Sequence, residues 1–134
     1  MSAIEVDRLR RTLPDDDSHP YRSGAWRPQH REWRVDALEV IEGAVPDDLE
    51  GLYARNTENP LHEAIAAYHP FDGDAMVHAV RFGGGRASYR NRFVRTDGLI
   101  AEQEAGRSLW AGLAERPADA ERTDGRTARG AMKD

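Results

Sequence analysis

The 134-residue chain contains no cysteine. That excludes disulfides and thiolate metal sites, and it fits a reducing compartment. Long apolar runs are missing as well. Nothing approaches the roughly 18 apolar residues that a membrane-spanning helix requires. The N-terminal MSAIEVDRLRRTL has no apolar core of signal-peptide length, so a cytoplasmic protein is expected. Basic charge is in deficit: 19 Lys and Arg against 24 Asp and Glu leave a net charge of −5, which argues against a nucleic-acid partner. Hydrophobic residues make up 39% and aromatics 7%, enough for a thin core only.

What the chain does carry is concentrated in 68–96, YHPFDGDAMVHAVRFGGGRASYRNRFVRT. A tight acidic turn, Asp72-Gly73-Asp74, leads into a strand-like run over 76–82. Three glycines, Gly83, Gly84 and Gly85, then separate it from a second run over 86–95. Alternation of period two on either side of glycine punctuation predicts a β-hairpin. Met76, His78, Val80 and Phe82 fall on one face of the first strand; Ala87, Tyr89, Asn91 and Phe93 fall on one face of the second. The glycine run precedes no helix, so it is a hairpin turn and not a phosphate loop.

Elsewhere the signals are weaker. Ile4, Leu9 and Leu13 are equally compatible with a short helix and with a loose leader stopped by Pro14 and Asp15-Asp16-Asp17. HPYRSGAWRPQHREW, 19–33, reads as an extended arm with Trp26 and Trp33 as packing anchors. RVDALEVI, 34–41, reads as a strand covered on both sides, and a further strand is expected over 52–56. LIAEQEAGRSLWAGLAE, 99–115, allows a helix broken by Gly106 and Gly112. The expected organisation is therefore a flexible leader at 1–18, an all-β body at 19–113 and a polar tail at 114–134, disordered in isolation.

The local residues invite a metal site, since His69, Asp72, Asp74 and His78 lie within ten positions and imidazole with carboxylate suits iron, manganese or zinc. The competing reading is structural: Asp-Gly-Asp is an ordinary turn whose carboxylates bond nearby amides, and a half-buried strand histidine needs no ligand role. Arg90, Arg92 and Arg95 read as a solvated face or as partners of acidic neighbours, with an anionic partner as the alternative. Asp47 and Asp48 carry no spacing that identifies acid–base chemistry.

The strings FDGDAMVH and YRNRFVRT, joined by a short glycine turn, resemble the N-terminal part of the carotenoid oxygenase family. That family holds the carotenoid and apocarotenoid cleavage dioxygenases, the stilbene-cleaving dioxygenases and the retinoid isomerase of the eye. Ala75 stands where the family has a third glycine. HPYRSGAWRP is similar to the family's N-terminal arm. GLYARNTENP is similar to its R-N-G-P-N-P strand, with Thr57 and Glu58 in place of Gly-Pro. Glu102, Ala105, Gly106 and Leu109 match its E-x-x-A-G-x-x-L.

The resemblance implies an all-β fold, part of a seven-bladed β-propeller with an extended N-terminal arm and a short helical link. It also implies an oxidoreductase: a non-haem iron(II) dioxygenase that uses O2 to cleave a C=C bond of a small apolar conjugated substrate. In the family, four histidines on separate blades hold the Fe(2+). None of His19, His30, His62, His69 or His78 matches one, so the ligands would lie beyond Asp134. No catalytic or metal residue is assigned within this chain, and the chain alone is expected to be inactive and to bind no iron. Phe71 is the one substrate-lining candidate. Arg55, Asn56, Asp72, Gly73, Asp74, His78, Asn91 and Arg92 are family-motif residues with structural roles. In the stilbene-cleaving branch a tyrosine and a lysine bind the substrate phenol; Ala105 stands in the tyrosine's region and Lys133 is at most a counterpart of the lysine, so the substrate class stays open. Peripheral membrane contact is not legible in these residues. The alternatives are a non-enzymatic β-rich binding module or gene remnant, and a small metalloenzyme built on the local cluster.

Overall fold

The computed structural model describes residues 2–123. Five strands, β1 (Ala3–Arg8), β2 (Arg31–Val35), β3 (Gly51–Asn59), β4 (Asp74–Gly83) and β5 (Arg86–Phe93), form one sheet in the order β1-β2-β5-β4-β3. The pairs β1/β2, β2/β5 and β4/β5 are antiparallel. One helix, α1 (Asp97–Ala105), follows. Among the described residues no helix is long and apolar enough to cross a membrane.

The chain divides into two compact units. The first holds β1, Arg31–Thr57 and Met76–Phe93; the second holds Leu9–His30, Glu58–Ala75 and the chain from Val94. In the sheet unit the hairpin forms in the expected register, with Met76 opposite Phe93, His78 opposite Asn91, Val80 opposite Tyr89 and Phe82 opposite Ala87. Opposed residues share a face, and this face supplies the core: Met76, Ala87 and Phe93 are buried, as is Val35 on β2. Strand β5 stops at Phe93 instead of running to 95, because Val94 donates its N–H to Ala75 O at 2.9 Å and Thr96 caps α1.

Three sequence expectations for this unit need correction. The leader is neither helical nor loose over Ala3–Arg8, which forms the edge strand β1 against β2. Ile4 and Val6 alternate with Glu5 and Asp7, a period-two pattern rich in β-branched residues that suits an edge strand. The strand expected at 34–41 lies at Arg31–Val35. Beyond Val35 the Leu38 N–H reaches β5, at Ala87 O, and Val40 and Ile41 stand exposed instead of covered. Strand β3 is longer than the 52–56 expected, and its residues 51–56 are exposed.

The second unit is loop-rich. Its buried residues include Leu9, Leu13, Leu61, Leu99, Leu109, Trp110 and Ala111. Helix α1 starts on Thr96, whose Oγ1 accepts from Leu99 N at 3.0 Å. It ends at Gly106, in the left-handed region at φ 70°, whose N–H reaches Glu102 O at 2.8 Å. The helix thus covers 97–105 and not the whole of 99–115: Gly106 terminates it. The arm at 19–33 contains a 3-10 turn, Gly24–Trp26, and Trp26 is 58% exposed, so it is no buried anchor; Trp33, in the sheet unit, is half-buried. Part of the tail is described. It contains a 3-10 turn at Pro117–Asp119, and Arg122 lies over the Trp110 ring at 4.7 Å while its N–H reaches Leu109 O at 2.9 Å. The rest of the tail, 124–134 with Lys133, lies outside the described residues.

Candidate functional site

Sequence reasoning grouped His69, Asp72, Asp74 and His78, and the structure gives each a different environment. In the second unit, Pro70–Asp72 forms a 3-10 turn closed by a reciprocal cap: His69 Nδ1 accepts from Phe71 N at 3.2 Å, and Asp72 Oδ2 accepts from His69 N at 3.2 Å. Asp72 is buried, and its Oδ1 accepts Leu113 N at 2.7 Å. Asp74 is also buried. Gly73 has no unusual φ, yet a Cβ there would stand 2.7 Å from Asn59 N and 2.8 Å from the Glu58 carbonyl carbon. The glycine is required by space and not by dihedral freedom. Ala75, the departure from the family pattern, carries its methyl group into a buried position without penalty of that kind.

Phe71 is 53% exposed and stacks edge-on against His69 at 5.1 Å. Nearby, Leu61, His62, Tyr68, Asp72, Asp74 and Glu115 line a small cleft. Two of its acidic groups, Asp72 and Glu115, accept backbone amides. Glu115 Oε1 accepts Ala66 N at 2.5 Å and Ala67 N at 3.0 Å, and its Oε2 accepts Gly112 N at 2.7 Å. Tyr68 is held far above its ordinary value, first by burial and then by the Asp72 charge, so it stays a neutral phenol. His62 lies between Thr12 Oγ1 at 3.4 Å and Gln103 Nε2 at 3.3 Å.

In the sheet unit His78 is a strand-to-strand connector. Its Nδ1 lies 2.7 Å from Tyr89 Oη and its Nε2 3.0 Å from Thr57 Oγ1, which in turn donates to Met76 O at 3.2 Å. With the threonine proton committed, Nε2 is the donor to Oγ1 and Nδ1 accepts the tyrosine O–H. Burial, then the charge of Arg55, lowers the imidazole pKa, and burial raises that of Tyr89; both groups are neutral near pH 7. Arg55 and Asn56 themselves are exposed on β3.

Asn91 and Arg92 join β5 to β2. The backbone pairing of these strands covers only Arg34 with Arg90 and Val35 with Tyr89. Further along, Asn91 Oδ1 accepts Trp33 N at 2.5 Å and Nδ2 donates to Arg31 O at 3.2 Å. Arg92 Nη1 donates to Trp33 O at 3.1 Å, and buried Glu32 accepts Phe93 N at 2.9 Å.

These donors do not fit a metal set: both His78 nitrogens, His69 Nδ1 and both Asp72 oxygens are bonded within the protein. Among the described residues, no three His, Cys, Asp or Glu side chains are grouped to hold a metal ion. Sequence reasoning missed Glu32 and Glu115 as acceptors of backbone amides, Glu32 buried and Glu115 half-buried, since a lone glutamate carries no sequence signal for that role. Glu102, which the E-x-x-A-G match does single out, is buried and accepts Leu109 N at 2.9 Å.

Residues 26–133 match the family described as RPE65, retinal pigment epithelial membrane protein. The apocarotenoid-15,15'-oxygenase of Synechocystis sp. is 40% identical over 90 residues, covering 66% of this chain and 18% of that protein. The crystal structure of Pseudomonas brassicacearum lignostilbene dioxygenase superimposes with a TM-score of 0.68 at 34% identity, covering 75% of this chain and 21% of that one. A cobalt-substituted structure of the Synechocystis enzyme superimposes at 0.55 with 41% identity over 64% of this chain and 18% of that one. The chain thus spans about a fifth of the length of the relatives it matches. Its sheet is part of a propeller fold, and the motif residues that carry the likeness are the ones that build that sheet and the capped turn beside Gly73. The chain belongs to the carotenoid oxygenase family.

Proposed function

We propose that this chain is the N-terminal part of a longer cytoplasmic non-haem iron(II) dioxygenase, one that cleaves a C=C bond of a carotenoid, apocarotenoid or related conjugated substrate. The overall reaction consumes one O2 and places one oxygen atom on each of two carbonyl products. The observation that carries this reading is the likeness to the apocarotenoid oxygenase over two thirds of this chain, against a fifth of that enzyme. The cobalt-substituted relative supports a metal centre in the parent protein. The ligands for it are assigned to sequence beyond these 134 residues, because the histidines described above are engaged in bonds of their own. No step of the reaction is assigned to a residue of this chain. Phe71, exposed beside the capped turn, is its one candidate for touching an apolar substrate.

The test is the intact mass of the protein as its native host makes it, with iron measured on the same sample. A product several-fold heavier than 15.0 kDa with about one iron per chain is expected. A 15.0 kDa product without iron would overturn the dioxygenase reading and leave the β-rich binding module. Purified alone and supplied with iron(II), O2 and an apocarotenoid, the 134-residue chain is expected to form no aldehyde; turnover would place the ligands within it.

A further inference from the structure

We propose that Tyr89 is a redox-active tyrosine, and that His78 is the base that takes its proton when an external one-electron oxidant removes an electron. The inference is independent of the dioxygenase reading. It needs no free surface either: both side chains are half-buried already, and any further chain packed on the sheet shields them more. The hairpin sets the geometry. Val80 stands opposite Tyr89 and His78 opposite Asn91, so His78 and Tyr89 are diagonal neighbours on one face, within reach of an aromatic side chain. Tyr89 Oη donates to His78 Nδ1 at 2.7 Å, with the ring centroids 6.1 Å apart and the planes tilted by 33°. On its far side the imidazole donates from Nε2 to Thr57 Oγ1 at 3.0 Å, and that hydroxyl donates onward to Met76 O at 3.2 Å. This order of donors leaves the Nδ1 lone pair aimed at the phenol.

A phenol that loses an electron becomes a strong acid, so its proton has to leave with the electron. Away from bulk water that requires a base within hydrogen-bond reach, and a neutral imidazole is such a base. Burial raises the Tyr89 pKa, and burial followed by the Arg55 charge lowers that of His78, so before oxidation the proton sits on the phenol oxygen and Nδ1 is ready to receive it. The step balances. One electron passes from Tyr89 to the oxidant, which is reduced by one equivalent; the Oη–H bond breaks and an Nδ1–H bond forms. The products are a neutral tyrosyl radical and an imidazolium that keeps its bond to Thr57. Return of one electron and the same proton restores the phenol. Of the four tyrosines, Tyr21 and Tyr53 are exposed to solvent, and Tyr68 Oη donates to Pro70 O at 3.4 Å, a carbonyl that cannot hold the proton. Among the described residues, only the Tyr89 hydroxyl is bonded to an imidazole nitrogen.

The test uses the full chain with flash-generated ruthenium(III) tris(bipyridine) as the one-electron oxidant. The tyrosyl radical is followed by its absorbance and by electron paramagnetic resonance. Wild type is expected to form a long-lived radical, and to form it more slowly in D2O than in H2O because a proton moves with the electron. Tyr89→Phe is expected to abolish the long-lived signal, and the exposed-site pair Tyr21→Phe with Tyr53→Phe to leave it unchanged. His78→Gln, which keeps a hydrogen-bonding side chain but removes the base, is expected to slow radical formation at least about tenfold. An undiminished long-lived signal in Tyr89→Phe would overturn the proposal, and so would an unchanged rate in His78→Gln. The isotope effect is read on wild type, so the test stands even where a variant does not fold. A bond that only joined the strands would leave oxidation equally fast in both solvents, and that result would overturn the proposal as well.

Discussion

Asn91 stands in for the peptide ladder between β5 and Trp33 of β2. Its amide oxygen takes the Trp33 N–H at 2.5 Å while its nitrogen serves Arg31 O, so one buried side chain satisfies a donor and an acceptor of the neighbouring strand. The side-chain amide reproduces the chemistry of a peptide group, which no other residue but glutamine offers, and glutamine is one methylene longer.

Asn91→Ala is therefore expected to cost about 1–3 kcal/mol, because it removes the side-chain partner of two half-buried backbone groups and leaves a small void. Asn91→Asp keeps the acceptor but loses the donor to Arg31 O and places a carboxylate in a buried site. It is expected to be destabilising too. Urea unfolding of the three proteins measures this; a loss below about 1 kcal/mol for the alanine variant would show that the strands re-pair through their backbones.

Gly73→Ala is expected to be among the most damaging single substitutions, several kcal/mol, since the new methyl meets the backbone of Glu58 and Asn59 and not a movable side chain. Ala75→Gly, which restores the family pattern two residues away, is expected to cost only about 1 kcal/mol through lost burial and added chain freedom. Thermal unfolding of the pair provides an internal control, and similar losses for both would refute the steric account.

His78 gives the chain a pH-dependent element. Burial and the Arg55 charge depress its folded-state pKa below the ordinary 6.5. Folding then favours the neutral imidazole. Its contribution is complete above a pH of about 6.5 and is lost as pH falls from there through the depressed folded value. The imidazole chemical shifts are expected to titrate below 6.5, with the proton on Nε2 in the neutral form. His78→Gln is expected to reduce the acid-side loss of stability. A titration midpoint above 6.5 would contradict the burial argument.

Glu102 holds the loop after α1 by accepting Leu109 N–H from a buried position. Glu102→Ala is expected to cost about 1–3 kcal/mol, the penalty of an unsatisfied buried amide. Glu102→Gln retains an acceptor oxygen and is expected to cost less. Hydrogen exchange at the Leu109 amide reads this directly: protection should drop in the alanine variant and persist in the glutamine one.

The sequence by itself determined the hairpin, its register and its buried face, because alternation and a glycine turn are local physics and nothing distant opposed them. It determined the family as well, since the two motif strings sit at a fixed spacing. It also marked Gly106 as a weak point of the helix, which the left-handed φ there turns into its end. Tertiary structure alone decided the rest. Ala3–Arg8 became a strand because β2 offered it an edge, and the strand at 34–41 moved to Arg31–Val35 because Asn91 and Arg92 of β5 bind β2, and Glu32 of β2 binds β5, further upstream. The cluster of His69, Asp72, Asp74 and His78 dissolved for a related reason. Proximity along a chain says nothing about which polar groups the backbone will claim, and here backbone amides and a tyrosine claimed most of them first.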